Sequence, residues 1–485
     1  MLFNSYIFIF LFLPITFAVY FALNRKKQIL VAKAWFVLAS LFFYGYWNPI
    51  YVPLILGSIL FNYAVSSTLN LRRHHLPPSS WMLVVGITGN LALLSYFKYM
   101  NFFITNINAV SSLNLELLHI TLPLGISFFT FTQIAYLVDT ARGAAHEYSL
   151  LNYALFVSFF PYLLAGPITH HKEMMPQFET LRNKILNHKH IAQGLTLFSM
   201  GLFKKVIIAD RLAGWANAGF DHASGLTLIG AWITSLSYTL QLYYDFSGYT
   251  DMALGAALLF NIKLPVNFNS PYKSLNIQEF WRRWHMTLGR FFRDYIYFPL
   301  GGSRVPEPQI ILNILVTFFL VGLWHGAGWT FIIWGLLHGF ALGVFRLWHK
   351  TPFRLPRLVS WIITFNFVNA AWVFFRAQSF SEAMNVLKGM VGLTGVILPE
   401  KLFHSLAALK SYGFQFGDIL PTVGWDVRTS WYFIAFLILT VFFKNSNEMV
   451  ERLKPSWRAT VALSAISVYA VSNLHKVREF IYFKF

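Results

Sequence analysis

Four clusters in this sequence set ionisable side chains inside or beside strongly apolar runs. The first is Trp324-His325-Gly326-Ala327-Gly328, which ends the apolar run Ile310–Leu323. A histidine in such a run is costly unless it faces protein or water. It is also the side chain that titrates nearest neutral pH, so it suits a general base or acid. Gly322 and Gly326 flank it and let a backbone or a substrate approach closely. The structural alternative is a helix-end histidine bonded to a backbone carbonyl. The second cluster is Phe280-Trp281-Arg282-Arg283-Trp284-His285. Its arginines can hold phosphate groups, and His285 adds a second acid, base or orienting group. The alternative is an interfacial anchor whose Trp and Arg sit at the lipid headgroups.

The third cluster is Tyr244-Asp245-Phe246-Ser247-Gly248-Tyr249-Thr250-Asp251. Asp245 and Asp251 would orient a histidine, bind a cation or cap a helix. The fourth is Lys204-Lys205 inside Leu197–Ile208, which needs an aqueous path or a carboxylate partner; Asp210 is near in sequence. His338 is a further histidine in an apolar run, more readily structural than reactive. The sequence has no P-loop, no dinucleotide fingerprint, no His-Glu-x-x-His zinc motif and no Gly-x-Ser-x-Gly elbow. What remains is a histidine-centred site with arginines and no metal signature. An acyltransferase that deprotonates a hydroxyl fits it, and so does a transporter that couples to protons.

The elements that must position these groups follow from composition. The chain has 485 residues, 56% hydrophobic, 19% aromatic and only 12% charged. A soluble domain carries roughly a quarter charged residues. Lipid is the natural solvent for this chain. Its net charge of +19 marks cytoplasmic loops and contacts with anionic lipid rather than nucleic acid. Cysteine is absent, which excludes disulfides, Cys-ligated metals and a Cys-acyl intermediate. The opening apolar stretch from Leu2 to Leu23 lacks a positive leader region and a small-residue cleavage site, so it is expected to stay as a membrane helix.

Runs of about twenty apolar residues mark candidate spans. They fall near 3–23, 29–47, 50–70, 81–103, 119–138, 191–214, 226–246, 309–326, 329–348, 357–375, 430–444 and 458–474. Arg25-Lys26-Lys27 and Arg72-Arg73-His74-His75 place the ends of the first and third spans on the cytoplasmic side. The stretch 151–168 breaks the alternation of basic loops and contains Pro161, Gly166 and Pro167. A re-entrant hairpin explains both facts. Residues 245–309 read as non-spanning, and Glu279–Leu300 mixes arginines and aromatics as an interfacial helix would, or as one packed on the cytoplasmic side of the bundle. The weakly hydrophobic stretch 376–428 is expected to form an external loop. An even number of spans would put both termini outside.

Together these segments resemble the membrane-bound O-acyltransferase family, in its bacterial alginate and peptidoglycan O-acetyltransferase branch. The matching pieces are Met1-Leu2-Phe3-Asn4-Ser5, Tyr96-Phe97-Lys98-Tyr99, Leu122-Pro123-Leu124-Gly125-Ile126-Ser127-Phe128 and Ala165-Gly166-Pro167. Four more are the second cluster, Tyr244-Asp245-Phe246-Ser247-Gly248-Tyr249 of the third, Phe292-Arg293-Asp294-Tyr295-Ile296-Tyr297 and Gly322-Leu323-Trp324-His325-Gly326. The last is Phe480-Ile481-Tyr482-Phe483. Each is weak alone, but their order and joint presence are specific. Where relatives often read Pro-Leu-Gly-Gly-Asn-Arg, this chain has Pro299-Leu300-Gly301-Gly302-Ser303-Arg304.

The resemblance implies an all-α polytopic membrane protein forming a single acyltransferase domain over 1–485. Its about 11–13 spanning helices and re-entrant segments would form a ring around a central tunnel. It implies transfer of acetyl from cytoplasmic acetyl-CoA, a substrate rather than a bound cofactor, across a bacterial inner membrane. The acceptor would be a cell-envelope or secreted polysaccharide, reached through an extracytoplasmic SGNH-hydrolase-like partner. The family's defining histidine falls on His325 and a second tunnel residue on His285. Arg282, Arg283, Arg293, Asp245 and Asp251 are candidates for donor binding or support. Acyl or D-alanyl transfer to teichoic acid or lipid stays open as an alternative, as does a polysaccharide or proton-coupled transporter.

Overall fold

The computed structural model describes all residues except 74–79, 401–402, 421–426, 455, 477–479 and 482–485. His74, His75, Tyr482 and Phe483, singled out above, lie outside the described residues. The protein is an all-α polytopic membrane protein. Among the described residues seven helices are long and apolar enough to cross a membrane: Phe8–Arg25, Pro49–Asn70, Trp81–Val110, His188–Phe220, Glu307–His325, Trp329–Trp348 and Arg357–Arg376. The apolar helices Ile29–Gly45 and Thr429–Phe442 are shorter. Two other expected spans take a different form. The helix in 119–138 begins only at Ile126, after an extended segment. The helix expected to stop near Asp245 continues unbroken from Leu228 to Leu259. Its polar residues lower the hydropathy of the sequence but leave the helical backbone bonds intact.

The chain divides into two compact units. The first comprises Met1–Leu202, Tyr249–Val266 and Met449–His475. Its core is a stack of aromatic rings, with Phe36 against Phe260 at 4.8 Å and Phe12 against Phe160 at 5.2 Å. Helix–helix contact here also uses buried amides. Asn62 and Asn90 exchange two hydrogen bonds of 3.1 and 2.6 Å, and Gln133 donates to Ser58 at 2.8 Å. Such bonds hold helices together where lipid gives no hydrophobic drive. Helix Ile126–Ala141 starts at Gly125, whose φ of 72° puts it in the left-handed region. A side chain there would also press on the Leu163 carbonyl oxygen. The stretch 151–168 forms a nine-residue helix, Leu150–Ser158, and a four-residue one, Phe160–Leu163. Two histidine–carboxylate contacts follow it, a buried one between His170 and Asp139 at 3.3 Å and a part-buried one between His171 and Glu147 at 3.4 Å.

The second unit comprises Phe203–Gly248, Asn267–Glu448 and Lys476–Phe485. Its centre is an antiparallel hairpin of Glu307–His325 and Trp329–Trp348, turned by Gly326-Ala327-Gly328. The two helices touch backbone to backbone at Gly322 and Gly335. A Cβ on Gly322 would collide with the Phe331 carbonyl, and one on Gly335 with the Phe318 carbonyl. Close approach of small residues is how membrane helices gain van der Waals contact. At the other end of the hairpin Glu307 pairs with Arg346 and Lys350. The stretch 376–428 contains helix Phe380–Met390 and two short parallel strands, Ile397–Pro399 and Gln415–Gly417, with Ile397 opposite Gln415.

Candidate active site

His325 is the last residue of its helix, where the hairpin turns, and it is 4% exposed. Rings pack around it among the described residues. Trp324 lies 4.9 Å away between centroids, Trp334 5.1 Å, Phe375 5.1 Å and the His285 imidazole 6.4 Å. Trp334 comes from the second helix of the hairpin and Phe375 from Arg357–Arg376. At 6.4 Å between centres the two imidazoles are too far apart for a direct hydrogen bond between their nitrogens. A small reacting group in reach of both would suffice to link them. The structure thus brings together the two histidines that lie forty positions apart in sequence.

His285 is reached by an interruption of the helix. The amphipathic stretch Glu279–Leu300 is not one helix. It consists of Ile277–Arg283, Met286–Phe292 and a wider turn at Arg293–Tyr297. His285 sits at the break with φ of 42°, a left-handed conformation that a non-glycine residue adopts at a cost. The break turns its imidazole inward, where it is 0% exposed. Phe246 meets it edge-on at 4.8 Å, and Trp324 at 6.0 Å. Its Nδ1 lies 3.1 Å from Oδ1 of Asn267.

Burial pushes the His285 imidazole down from its ordinary 6.5 to about 3, so it is neutral at physiological pH. In the unfolded chain it takes up a proton near 6.5. Between these values the unfolded state binds more protons than the folded state, so stability falls as pH falls through this window. Thermal midpoints of the detergent-solubilised protein should therefore drop as pH is lowered from 6.5, and His285→Gln should flatten that drop. The same slope in the variant would assign the acid sensitivity to other groups.

The arginines separate. Arg283 bonds Glu279 at 2.9 Å and also the Asn269 carbonyl. Arg293 makes a two-pronged contact with Asp294 at 2.7 and 3.2 Å. Arg282 is exposed and has no ion pair among the described residues. Asp245 is buried in an ion pair with Lys205 at 2.7 Å, and its other oxygen accepts the Ile481 backbone N–H at 2.9 Å. Its neighbour Phe246 is the residue against His285. Asp251 is buried and belongs to the first unit.

His338 is fully buried, and its Nδ1 accepts a 3.2 Å hydrogen bond from the Trp281 indole. This bond joins the Trp-Arg-Arg-Trp-His segment to the hairpin and places His338 4.9 Å from Trp334. Sequence reasoning passed over Asn267, Trp334 and Phe375. Asn267 lies between Pro265 and Pro271 in a segment without a period, where Asn269 and Ser270 are polar as well and nothing local sets Asn267 apart. Trp334 and Phe375 look like ordinary core residues until the hairpin is folded. Among the described residues no group of three or more His, Asp or Glu side chains is arranged to hold a metal ion.

The sequence was compared with known proteins. A peptidoglycan O-acetyltransferase from Helicobacter pylori is 48% identical, over all of this chain and 98% of its own length. A probable alginate O-acetylase, AlgI, from Pseudomonas aeruginosa is 39% identical, over 80% of this chain and 75% of its own. A teichoic acid D-alanyltransferase from Bacillus subtilis is 29% identical over 53% of this chain and 69% of its own length. The family model of the membrane-bound O-acyltransferases matches residues 17–381, a range that includes His285, His325 and the rings around them. With that match and these relatives, the chain belongs to the membrane-bound O-acyltransferase family and is an O-acyltransferase.

Proposed function

We propose that this enzyme moves acetyl groups from cytoplasmic acetyl-CoA across the bacterial inner membrane for O-acetylation of a cell-envelope polysaccharide, and that peptidoglycan is the acceptor. The observation that carries the reading is the pair of buried imidazoles in an aromatic box, in a chain similar over its whole length to a peptidoglycan O-acetyltransferase. His325 takes the proton of the attacking hydroxyl. The hydroxyl oxygen forms the new C–O bond, the thioester C–S bond breaks, and the thiolate leaves and is protonated. His285 orients the reacting groups and supports the developing charge. Arg282 meets the donor's phosphates. An extracytoplasmic SGNH-hydrolase-like partner receives the acetyl group and completes its delivery.

The test has two arms. Proteoliposomes supplied with acetyl-labelled CoA should pass label to a soluble hydroxyl acceptor. Cells lacking the gene should lose base-labile acetate from peptidoglycan. Loss from an exopolysaccharide instead would move the acceptor to alginate-like polymers. Loss of D-alanine from teichoic acid would select that chemistry. No loss of ester from any polymer would overturn the proposal.

A further inference from the structure

His285 can act only if one of its two nitrogens is free to receive a proton in the right direction, and the side chain has no means of choosing which. The choice is made by its hydrogen-bond partner. Asn267 is 0% exposed and lies eighteen positions earlier. Its Oδ1 receives the Thr287 backbone N–H at 3.2 Å and the Thr287 hydroxyl at 3.0 Å, and lies 3.1 Å from His285 Nδ1. Its backbone carbonyl takes the Met286 N–H at 3.0 Å. A backbone N–H can only donate, so the atom facing Thr287 must be the carboxamide oxygen rather than the nitrogen. That oxygen can only accept. The His285 Nδ1 beside it must therefore carry the hydrogen, which leaves the lone pair on Nε2.

We propose that Asn267 is the positioning residue of His285: its carboxamide oxygen fixes the Nδ1–H tautomer and holds the Nε2 lone pair toward the reacting group. This rests on the reading above, in which His285 supports acyl transfer. The same contacts explain how the local backbone survives. Helix Met286–Phe292 has no cap from its own residue at His285, and its first N–H groups would be orphaned. Asn267 satisfies those of Met286 and Thr287 from a distance. This stabilises the left-handed His285 that turns the ring inward. One amide thus sets both the direction and the protonation pattern of the imidazole.

A purely structural Asn267 would do no more than cap the helix. Aspartate caps as well as asparagine but adds a negative charge beside Nδ1–H. Rings against His285 among the described residues include Phe246, Phe268, Trp324 and the titratable His325. The experiment measures acetyl transfer from labelled acetyl-CoA by the full-length protein in proteoliposomes, as a pH profile, for Asn267→Asp, Asn267→Ala and His285→Ala. Asn267→Asp buries a carboxylate, so its thermal midpoint should fall somewhat, and its profile is read under conditions where the protein stays folded. The acid limb that belongs to His285 should move up by at least about one pH unit, because the carboxylate stabilises the imidazolium. Asn267→Ala should lower kcat about 10²-fold, with KM for acetyl-CoA nearly unchanged, as expected when a reacting group is misdirected rather than a substrate lost. A folded Asn267→Asp protein whose profile superimposes on the wild type would overturn the proposal, whether or not the alanine variant folds. If His285→Ala itself transfers acetyl at the normal rate, the role of His285 fails instead, and the two failures are distinguishable.

Discussion

His325→Gln should transfer acetyl about 10³ times more slowly than the wild type, a loss within the range of removing a general base. The variant should still fold, because glutamine keeps a polar group of similar reach at the hairpin turn. His325→Ala is a poorer probe. It removes a ring packed between Trp324, Trp334 and Phe375, and a cavity in such a core costs about 2 kcal/mol or more. Activity would then fall for two reasons at once. The glutamine variant isolates the chemistry. Pairing it with His285→Gln gives a sharper result. Residues that act as a unit are strongly non-additive, so the double variant should be little slower than His325→Gln alone. Two independent losses that multiply would show that the histidines serve separate steps. A folded His325→Gln enzyme with wild-type turnover would remove His325 from the mechanism.

Lys205→Met should be the most destabilising single change near the site. Lys205 is 3% exposed and lies 2.7 Å from carboxylate oxygens of both Asp210 and Asp245. Removing it leaves two buried carboxylates without that counter-charge, which costs about 3–5 kcal/mol for a broken buried pair. The cost arises mainly from the groups left behind rather than from the pair itself. Adding Asp245→Asn to Lys205→Met should therefore recover part of the loss, since one of the two stranded charges is gone. Thermal midpoints in detergent give the comparison directly. Activity should follow stability, because Asp245 anchors both the Ile481 backbone and the helix position next to Phe246, the ring against His285. A Lys205→Met protein that melts with the wild type would mean the two aspartates are neutralised by other means.

Both changes act on residues visible in the sequence, but for different reasons. His325 was legible because lipid makes an unexplained histidine expensive, and because its flanking glycines announce close packing. Lys205 was legible as a cost without its full solution. Asp210, the neighbour in sequence, is one partner, yet Asp245 is forty positions away and is found only when the helices pack. The helix Lys205 belongs to changes register at Lys204–Ala209, a wider turn that hydropathy does not register. The arginines illustrate the reverse case. Arg283 with Glu279 and Arg293 with Asp294 are local pairs, one at the four-residue spacing of a helix and one between neighbours, so their engagement could have been read directly.

The sequence by itself determined that the protein is helical and membrane-embedded. A fraction of charge this low cannot cover a water-facing surface, and hydropathy sums over each segment without needing to know its neighbours. It also singled out two histidines as candidates, through motifs whose order is specific to the family. Only the tertiary structure decided how they act. His285 faces inward because the backbone takes a left-handed turn that histidine does not favour, and Asn267 holds it there from eighteen positions away. His338 meets Trp281 across fifty-seven positions, and Trp334 and Phe375 become walls of the site only when the hairpin closes beside Arg357–Arg376. Hydropathy measures the cost of placing one segment in lipid. It carries no information about which buried polar atom will satisfy which other, and that pairing sets the direction of a lone pair.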